Sequence, residues 1–178
     1  MTLFRAISFL MAMLVLGIGV LCGFALPKAP ALATRIPRLR LPGALLGTAL
    51  LAYCAYEGAP MLPGTRWGQL FWALVPVTAF LCWYFMDFLM ARALGGLLVI
   101  IANFLIQNAF GAYCGCRPLY ASVALAWGVA GTLLIAWPWW FRDVLTACSR
   151  HLAWRIALLL VSVFSCIVFF VLPLMVAD

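Results

Sequence analysis

The chain has 178 residues, of which 69% are hydrophobic and only 8% are charged, and its mean hydropathy is +1.19. So few polar residues could not cover the surface of a water-soluble fold, which excludes a soluble domain and predicts a protein embedded in a membrane. The net charge of +7 sits in short segments beside apolar runs, so it indicates membrane orientation and no nucleic-acid partner.

Long uncharged runs recur six times along the chain. A helix needs about 20 apolar residues to cross a hydrocarbon layer roughly 30 Å thick. The predicted spans are 6–26, 41–61, 67–86, 93–114, 118–141 and 156–177. The second run reaches this length only if Glu57 lies at the membrane interface. We therefore predict an all-α fold, a single integral membrane domain of six helical spans with short loops.

The cations are distributed unevenly between the two sides of a six-span bundle. One side carries Lys28, Arg35, Arg38, Arg40, Arg92, Arg142, Arg150 and Arg155, and the other carries Arg5, Arg66 and Arg117. Lys and Arg in short loops stay in the cytoplasm, so both termini are predicted outside. The size and layout are shared by many small bacterial membrane proteins, and we expect a multi-pass protein of the bacterial inner (plasma) membrane.

The first span and the loop after it allow two interpretations. An N-terminal arginine, an apolar run and the tripeptide 31–33 also fit a cleaved signal peptide. The run is longer than the roughly 7–15 residues of such a region, so we expect the first span to be retained. The segment 27–42 contains four prolines and should form an extended basic loop, because proline disfavours helix at the preceding residue.

Two glycine pairs border this loop. Gly19 and Gly23 end the first span, and Gly43 and Gly47 begin the second. Both pairs have the spacing that lets membrane helices approach closely, and they lie at matching depth. The pattern predicts a tight hairpin between spans one and two.

A short repeat relates residues 83–89 to residues 139–145, each with aromatic residues followed by an aspartate. The two copies either belong to two related hairpins, in which Asp87 and Asp143 cap the next helix, or share only the composition of a membrane interface. Asp87 is also placed to pair with Arg92.

The fourth predicted span contains three amide side chains. Asn103 and Gln107 are one helical turn apart, and Asn108 lies on another face. An amide without a partner in hydrocarbon is costly, so these side chains are predicted to bond to other helices or to contact a solute.

The cysteine and histidine content restricts cofactor chemistry. The chain has seven cysteines but one histidine, and zinc or haem spacings are absent, so we predict no metal and no cofactor. Cys114 and Cys116, with Cys54 on the same side, are possible redox thiols. The alternative is that all seven cysteines fill apolar space.

The segment 142–155 is predicted to lie against anionic lipid headgroups at the cytoplasmic face. Its basic and aromatic residues include Arg142, Arg150, His151, Trp154 and Arg155.

The sequence contains no catalytic signature. The leading hypothesis is a non-enzymatic scaffold or accessory subunit of a larger membrane assembly, with other membrane subunits or copies of itself as partners. One alternative is a small-solute transporter using Asn103, Gln107, Glu57 and Arg66. Another is a membrane thiol-redox protein using Cys114 and Cys116.

Overall fold

The computed structural model describes residues 2–59, 67–111 and 116–174. These residues form helices joined by short turns, with no strand among them, which confirms the all-α prediction. The helices are α1 (Thr2–Val20), α2 (Leu26–Lys28), α3 (Leu32–Arg35), α4 (Arg40–Gly58), α5 (Trp67–Phe85), α6 (Leu89–Gly111), α7 (Arg117–Ala136), α8 (Pro138–Arg150) and α9 (Leu152–Leu174). A π-helical turn, Leu21–Ala25, joins α1 to α2, and a 3-10 turn, Ile36–Arg38, follows α3.

Four of the described helices are long and apolar enough to cross a membrane. They are Leu3–Lys28, Leu89–Phe110, Arg117–Ala136 and Leu152–Leu174. The pair Leu32–Arg38 and Arg40–Gly58, bent by 42°, could form a fifth span. The apolar helix Trp72–Phe85 is shorter. The helices are those of a multi-pass membrane protein with four or five candidate spans, and the six predicted spans are not confirmed.

The fifth predicted span, 118–141, extends beyond the C-terminal end of the observed helix. The helix ends at Ala136, and Trp137 takes a non-helical conformation with φ −126° and ψ 73°. Pro138 causes this break, because proline disfavours helix at the residue before it and is favourable in the first turn of a new one. The following helix, α8, is amphipathic and buries Leu145 and Cys148.

The prediction of an extended loop over 27–42 is wrong. The segment folds into α2, α3 and the 3-10 turn. Pro27 lies near the end of the continuous helix Leu3–Lys28, and Pro37 lies near the end of the helical segment Leu32–Arg38. Helix therefore continues through both prolines, although each removes one backbone N–H donor.

Two clusters of buried side chains form the core. The larger one joins α1, α6, α7 and α9 through residues such as Met11, Leu98, Ala124 and Phe169. The smaller one packs α8 against the end of the first helix and α3, and its members are Cys22, Leu26, Ala33, Leu145 and Cys148. Large exposed apolar side chains, such as Leu45 and Phe85, cover the outside, as expected for a surface solvated by lipid.

The predicted contact between the two glycine pairs is wrong. A Cβ built on Gly19 would lie 2.6 Å from Ser162 Cβ, and one built on Gly23 would lie 2.6 Å from Leu159 Cδ1, both on α9. Gly43 instead lies against the backbone of Met90 on α6, and nothing lies within 4 Å of a Cβ built on Gly47. Gly19, Gly23 and Gly43 therefore pack against helices that their spacing did not indicate.

The repeat does not correspond to a repeated structure. Residues 83–89 cross the end of α5, a turn and the start of α6, whereas residues 139–145 lie inside α8. Asp143 accepts hydrogen bonds from the Arg142 side chain, at 2.8 Å from Nη2, and is not a helix cap.

Two hydrogen bonds between helices come from residues that the sequence did not single out. Ser8 Oγ lies 2.7 Å from Tyr120 Oη, and Trp127 Nε1 donates to Ser165 Oγ at 3.0 Å. These bonds tie α1 to α7 and α7 to α9 inside the larger core cluster.

The turns and α8 bring most cations to one end of the bundle, which we call the basic end. It carries Lys28, Arg35, Arg38, Arg40, Arg92, Arg142, Arg150 and Arg155. Arg5, near the start of α1, and Arg117, at the start of α7, lie at the opposite end of the helix bundle.

Candidate functional site

A groove about 360 Å³ in volume runs along one face of α6. We call it the apolar groove. Its lining comes from α4, α5, the α5–α6 turn, α6 and one residue of α7: Ala44, Gly47, Thr48, Leu50, Leu51, Cys54, Ala79, Cys82, Met86, Leu89, Arg92, Ala93, Gly96, Val99, Ile100 and Ile135. Apart from Thr48 and Arg92, these side chains offer no strong hydrogen-bonding group.

The groove exists because small residues leave space where three helices meet. Both α5 and α6 pack against α4. A Cβ on Gly47 would meet nothing within 4 Å, and a Cβ on Gly96 would first meet Leu50 at 3.4 Å. Ala79 and Ala93 add two more short side chains to the walls. A cavity lined in this way accepts apolar chains in preference to polar solutes.

At the basic end the groove adjoins a second, polar cavity of about 340 Å³, lined by Arg38, Arg40, Met86, Asp87 and Phe88. We call it the basic mouth. Met86 lines both cavities. Arg92, on the groove side of Met86, donates from Nη1 to the Met86 sulfur at 3.6 Å. Its Nε is buried without a hydrogen-bond acceptor in the described part of the chain.

Phe88 shapes the basic mouth through an unusual backbone conformation. Its φ is +59°, in the left-handed region that non-glycine residues rarely adopt. This turn places the Phe88 ring 5.4 Å from the Arg38 guanidinium, a cation–π contact. The ring therefore holds Arg38 beside the mouth.

The predicted pairing of Asp87 with Arg92 is wrong, since no salt bridge joins these two described residues. Asp87 is an exposed member of the basic mouth. Two arginines, Arg38 and Arg40, thus share the basic mouth with one carboxylate, and Arg92 lies on the groove side of Met86.

The amides of α6 lie beyond the groove, toward its other end. Gln107 Nε2 donates to Asn103 Oδ1 at 3.2 Å, and both side chains are exposed. Asn108 donates to the Phe104 carbonyl oxygen at 2.8 Å. The predicted bonds from these amides to other helices are absent among the described residues. Neither Asn103 nor Gln107 lines the apolar groove.

Glu57 is exposed in the last turn of α4, where the predicted interface would be. Arg66, proposed as its companion for a solute, lies outside the described residues.

The predicted redox thiols are not paired where the structure describes them. Cys54 and Cys116 are free and exposed, and Cys114 lies outside the described residues. Among those residues, no group of three His, Cys, Asp or Glu side chains could hold a metal ion. The sequence did not indicate that Cys22 and Cys148 are buried together in the smaller core cluster.

The residues that were predicted to face lipid headgroups lie on α8, at the turn after it and at the start of α9. Arg142 is paired with Asp143, and Arg155 Nε donates to the Cys148 carbonyl oxygen at 3.4 Å. Arg150, His151 and Trp154 are exposed. An amphipathic helix with exposed cations beside a bundle is typical of a helix lying in the membrane interface.

One signal for the groove was present in the sequence. Arg92, Gly96, Val99, Asn103 and Gln107 recur every three or four residues and so share one face of α6. From the start of α6 toward its end, this face carries first a cation, then a small and an apolar residue, and then two amides. Arg92 and the amides do not reveal this face when each is considered separately.

No protein-family model, no curated protein and no solved structure matches this chain.

Proposed function

We propose that the protein is a non-enzymatic accessory subunit of a membrane assembly, and that a partner's transmembrane helix docks on α6 at Asn103 and Gln107. The proposed partner helix presents amide or hydroxyl side chains. The observation that carries the proposal is the exposed amide pair on a membrane-spanning helix.

The depth of these amides supports the proposal. Asn103 lies about 12 Å along the helix axis from the Gly111 end, at 1.5 Å per residue. This distance is well inside a hydrocarbon layer roughly 30 Å thick. Amides facing lipid at such depth are costly unless hydrogen-bonded.

The bond between the two amides satisfies only part of their capacity. Within the described chain it is the only hydrogen bond of either side chain, which leaves N–H groups on both and the Gln107 carbonyl oxygen free. A polar helix from a partner would provide their acceptors and donors. Such an interhelical bond contributes about 0.6 to 2 kcal/mol.

The test uses affinity purification of the full chain from its native membrane in mild detergent. We expect a second membrane protein to co-purify, and Asn103→Leu/Gln107→Leu to reduce its recovery. Thr132→Val is the matched control, because Thr132 is exposed on α7 and its hydroxyl already bonds to the Gly128 carbonyl oxygen. A photo-crosslinking residue at position 103 should join the same partner. A crosslinked product only of two copies of this chain, or no product, would contradict the accessory role.

The transport and thiol-redox alternatives gain no comparable observation. The groove is apolar and stops short of the amides, and the described thiols Cys54 and Cys116 are exposed and unpaired.

A further inference from the structure

The geometry points to a binding site for one anionic phospholipid, its phosphate among Arg38, Arg40 and Arg92 and one acyl chain in the apolar groove. The site is separate from the proposed docking surface, which lies farther along α6. The inference therefore does not depend on the accessory role.

The two cavities together have the two-part character of a lipid. The basic mouth is polar and carries arginines, whereas the groove is almost entirely apolar. They meet at Met86. A ligand that fills both must be charged at one end and hydrocarbon at the other.

The length of the groove matches one leaflet of a bilayer. Its α6 lining runs from Leu89 to Ile100, which is about 16 Å at 1.5 Å per residue. Half of a hydrocarbon layer roughly 30 Å thick is about 15 Å. Its volume of about 360 Å³ lies within the range of roughly 300–1,000 Å³ typical of ligand pockets. A single acyl chain extending from the basic end therefore fits the groove.

The arginines select an anionic headgroup. A guanidinium donates two parallel hydrogen bonds to phosphate oxygens, and Arg92 has a buried Nε with no acceptor and a weak sulfur acceptor at Nη1. A phosphate oxygen beside Met86 would be a stronger acceptor for Arg92 Nη1 than the sulfur is. The single exposed carboxylate, Asp87, leaves the mouth with an excess of positive charge.

The strained turn at Phe88 gives further support. Strained backbone persists where the surrounding structure holds it, and it is concentrated at binding sites. Here it places the ring that positions Arg38.

The experiment is native mass spectrometry of the full chain in detergent with added phosphatidylglycerol, phosphatidylcholine or inorganic phosphate. We expect phosphatidylglycerol to bind most tightly. Arg92→Gln should weaken its binding about tenfold, the loss expected for one charge-assisted hydrogen bond. Arg150→Gln is the matched control, since Arg150 is an exposed cation of the basic end outside the mouth. Equal losses in the two variants would show general attraction to the basic end and would overturn the proposal.

The apolar half has its own test. Gly47→Leu should fill the groove, because nothing lies within 4 Å of a Cβ at Gly47. It should weaken phosphatidylglycerol binding, whereas Gly17→Leu, also in open space, should not. Inorganic phosphate binding as tightly as the lipid would show an anion site alone and overturn the inference.

A measurement on the unaltered chain tests the same site without relying on variants that could fail to fold. Cys82 lines the groove and is partly exposed. Phosphatidylglycerol should protect Cys82 from a lipid-soluble maleimide more than phosphatidylcholine does. Equal protection by both lipids would contradict the proposed headgroup recognition.

Discussion

At the scale of single residues, Phe88 has an unfavourable backbone conformation that places its ring beside Arg38. A left-handed conformation costs a non-glycine residue about 1–2 kcal/mol. In return the ring contacts the Arg38 guanidinium and forms a wall of the basic mouth. Packing around the α5–α6 turn must therefore hold this residue in place.

The strain at Phe88 can be measured with two substitutions that both remove the ring. We expect Phe88→Gly to have a free energy of unfolding about 1 kcal/mol higher than Phe88→Ala, because glycine adopts positive φ without steric cost. Denaturant titration in detergent would compare them. An alanine variant as stable as the glycine variant would contradict the strain.

Cys148 differs from the exposed thiols in its reactivity. Burial raises its pKa above the ordinary value of 9.0, although the Cys22 hydrogen bond and the Arg155 charge act in the opposite direction. A raised pKa reduces the thiolate fraction at neutral pH, and the thiolate is the nucleophile. We expect peptide mass spectrometry to find slow alkylation of Cys148 near neutral pH and a rate that still rises above pH 9.0. A rate that levels off below that pH would contradict this expectation.

At the scale of helices, one of the close contacts between described helices was not predictable from spacing. Gly95 on α6 and Gly131 on α7 face each other, and a Cβ on either would lie 2.6 Å from the other's carbonyl oxygen. Neither belongs to the glycine pairs selected by their spacing in the sequence. A spacing rule identifies residues able to pack closely, but the choice of partner depends on how all helices are arranged.

The effect of adding a methyl group at this contact can be compared with the same substitution at a glycine that has no close neighbour. We expect Gly95→Ala to lower the free energy of unfolding by about 1–3 kcal/mol, the usual cost of overpacking. Gly17→Ala should be neutral or stabilising by up to about 1 kcal/mol, because Gly17 has no neighbour within 4 Å and alanine favours helix. Thermal unfolding of the two variants in one detergent would test the difference. Similar effects would contradict the packing at Gly95.

Local signals explain part of the helix pattern. Uncharged runs predicted the positions of α1, α6, α7 and α9 to within a few residues, because a helix that crosses the hydrocarbon layer must be apolar along its length. Pro138 contained the signal for the α7–α8 break, but it lies inside an uncharged run and was interpreted as part of a span. The residue pattern of α6 indicates only one wall of the apolar groove, and the groove itself could not be predicted, since small residues from separate helices, such as Gly47, Ala79 and Gly96, create it jointly.

At the scale of the whole molecule, the basic end and the amphipathic α8 define a direction through the membrane. Eight cations lie on α2, α3, the 3-10 turn, α8 and the first turns of α4, α6 and α9. From the positive-inside rule we predict that the basic end faces the cytoplasm.

Orientation can be tested with a membrane-impermeant maleimide applied to intact cells. Thr34 is exposed at the basic end and Cys116 is exposed at the other. In a Thr34→Cys variant we expect external labelling of Cys116 and labelling of position 34 only after the cells are opened. The reverse pattern would contradict the assigned direction.

The π-helical turn at Leu21–Ala25 contains one residue more than a regular α-helix would have there. Each bond there spans five residues instead of four, which is the geometry left when a helix absorbs an insertion. Deleting Phe24 should therefore restore a regular helix and keep both flanks in register. Deleting Met13, equally exposed but within α1, should rotate the residues after it by about 100° and unfold the protein. Size-exclusion profiles of the two deletion variants would show whether this segment tolerates a change of length that the rest of the helix cannot.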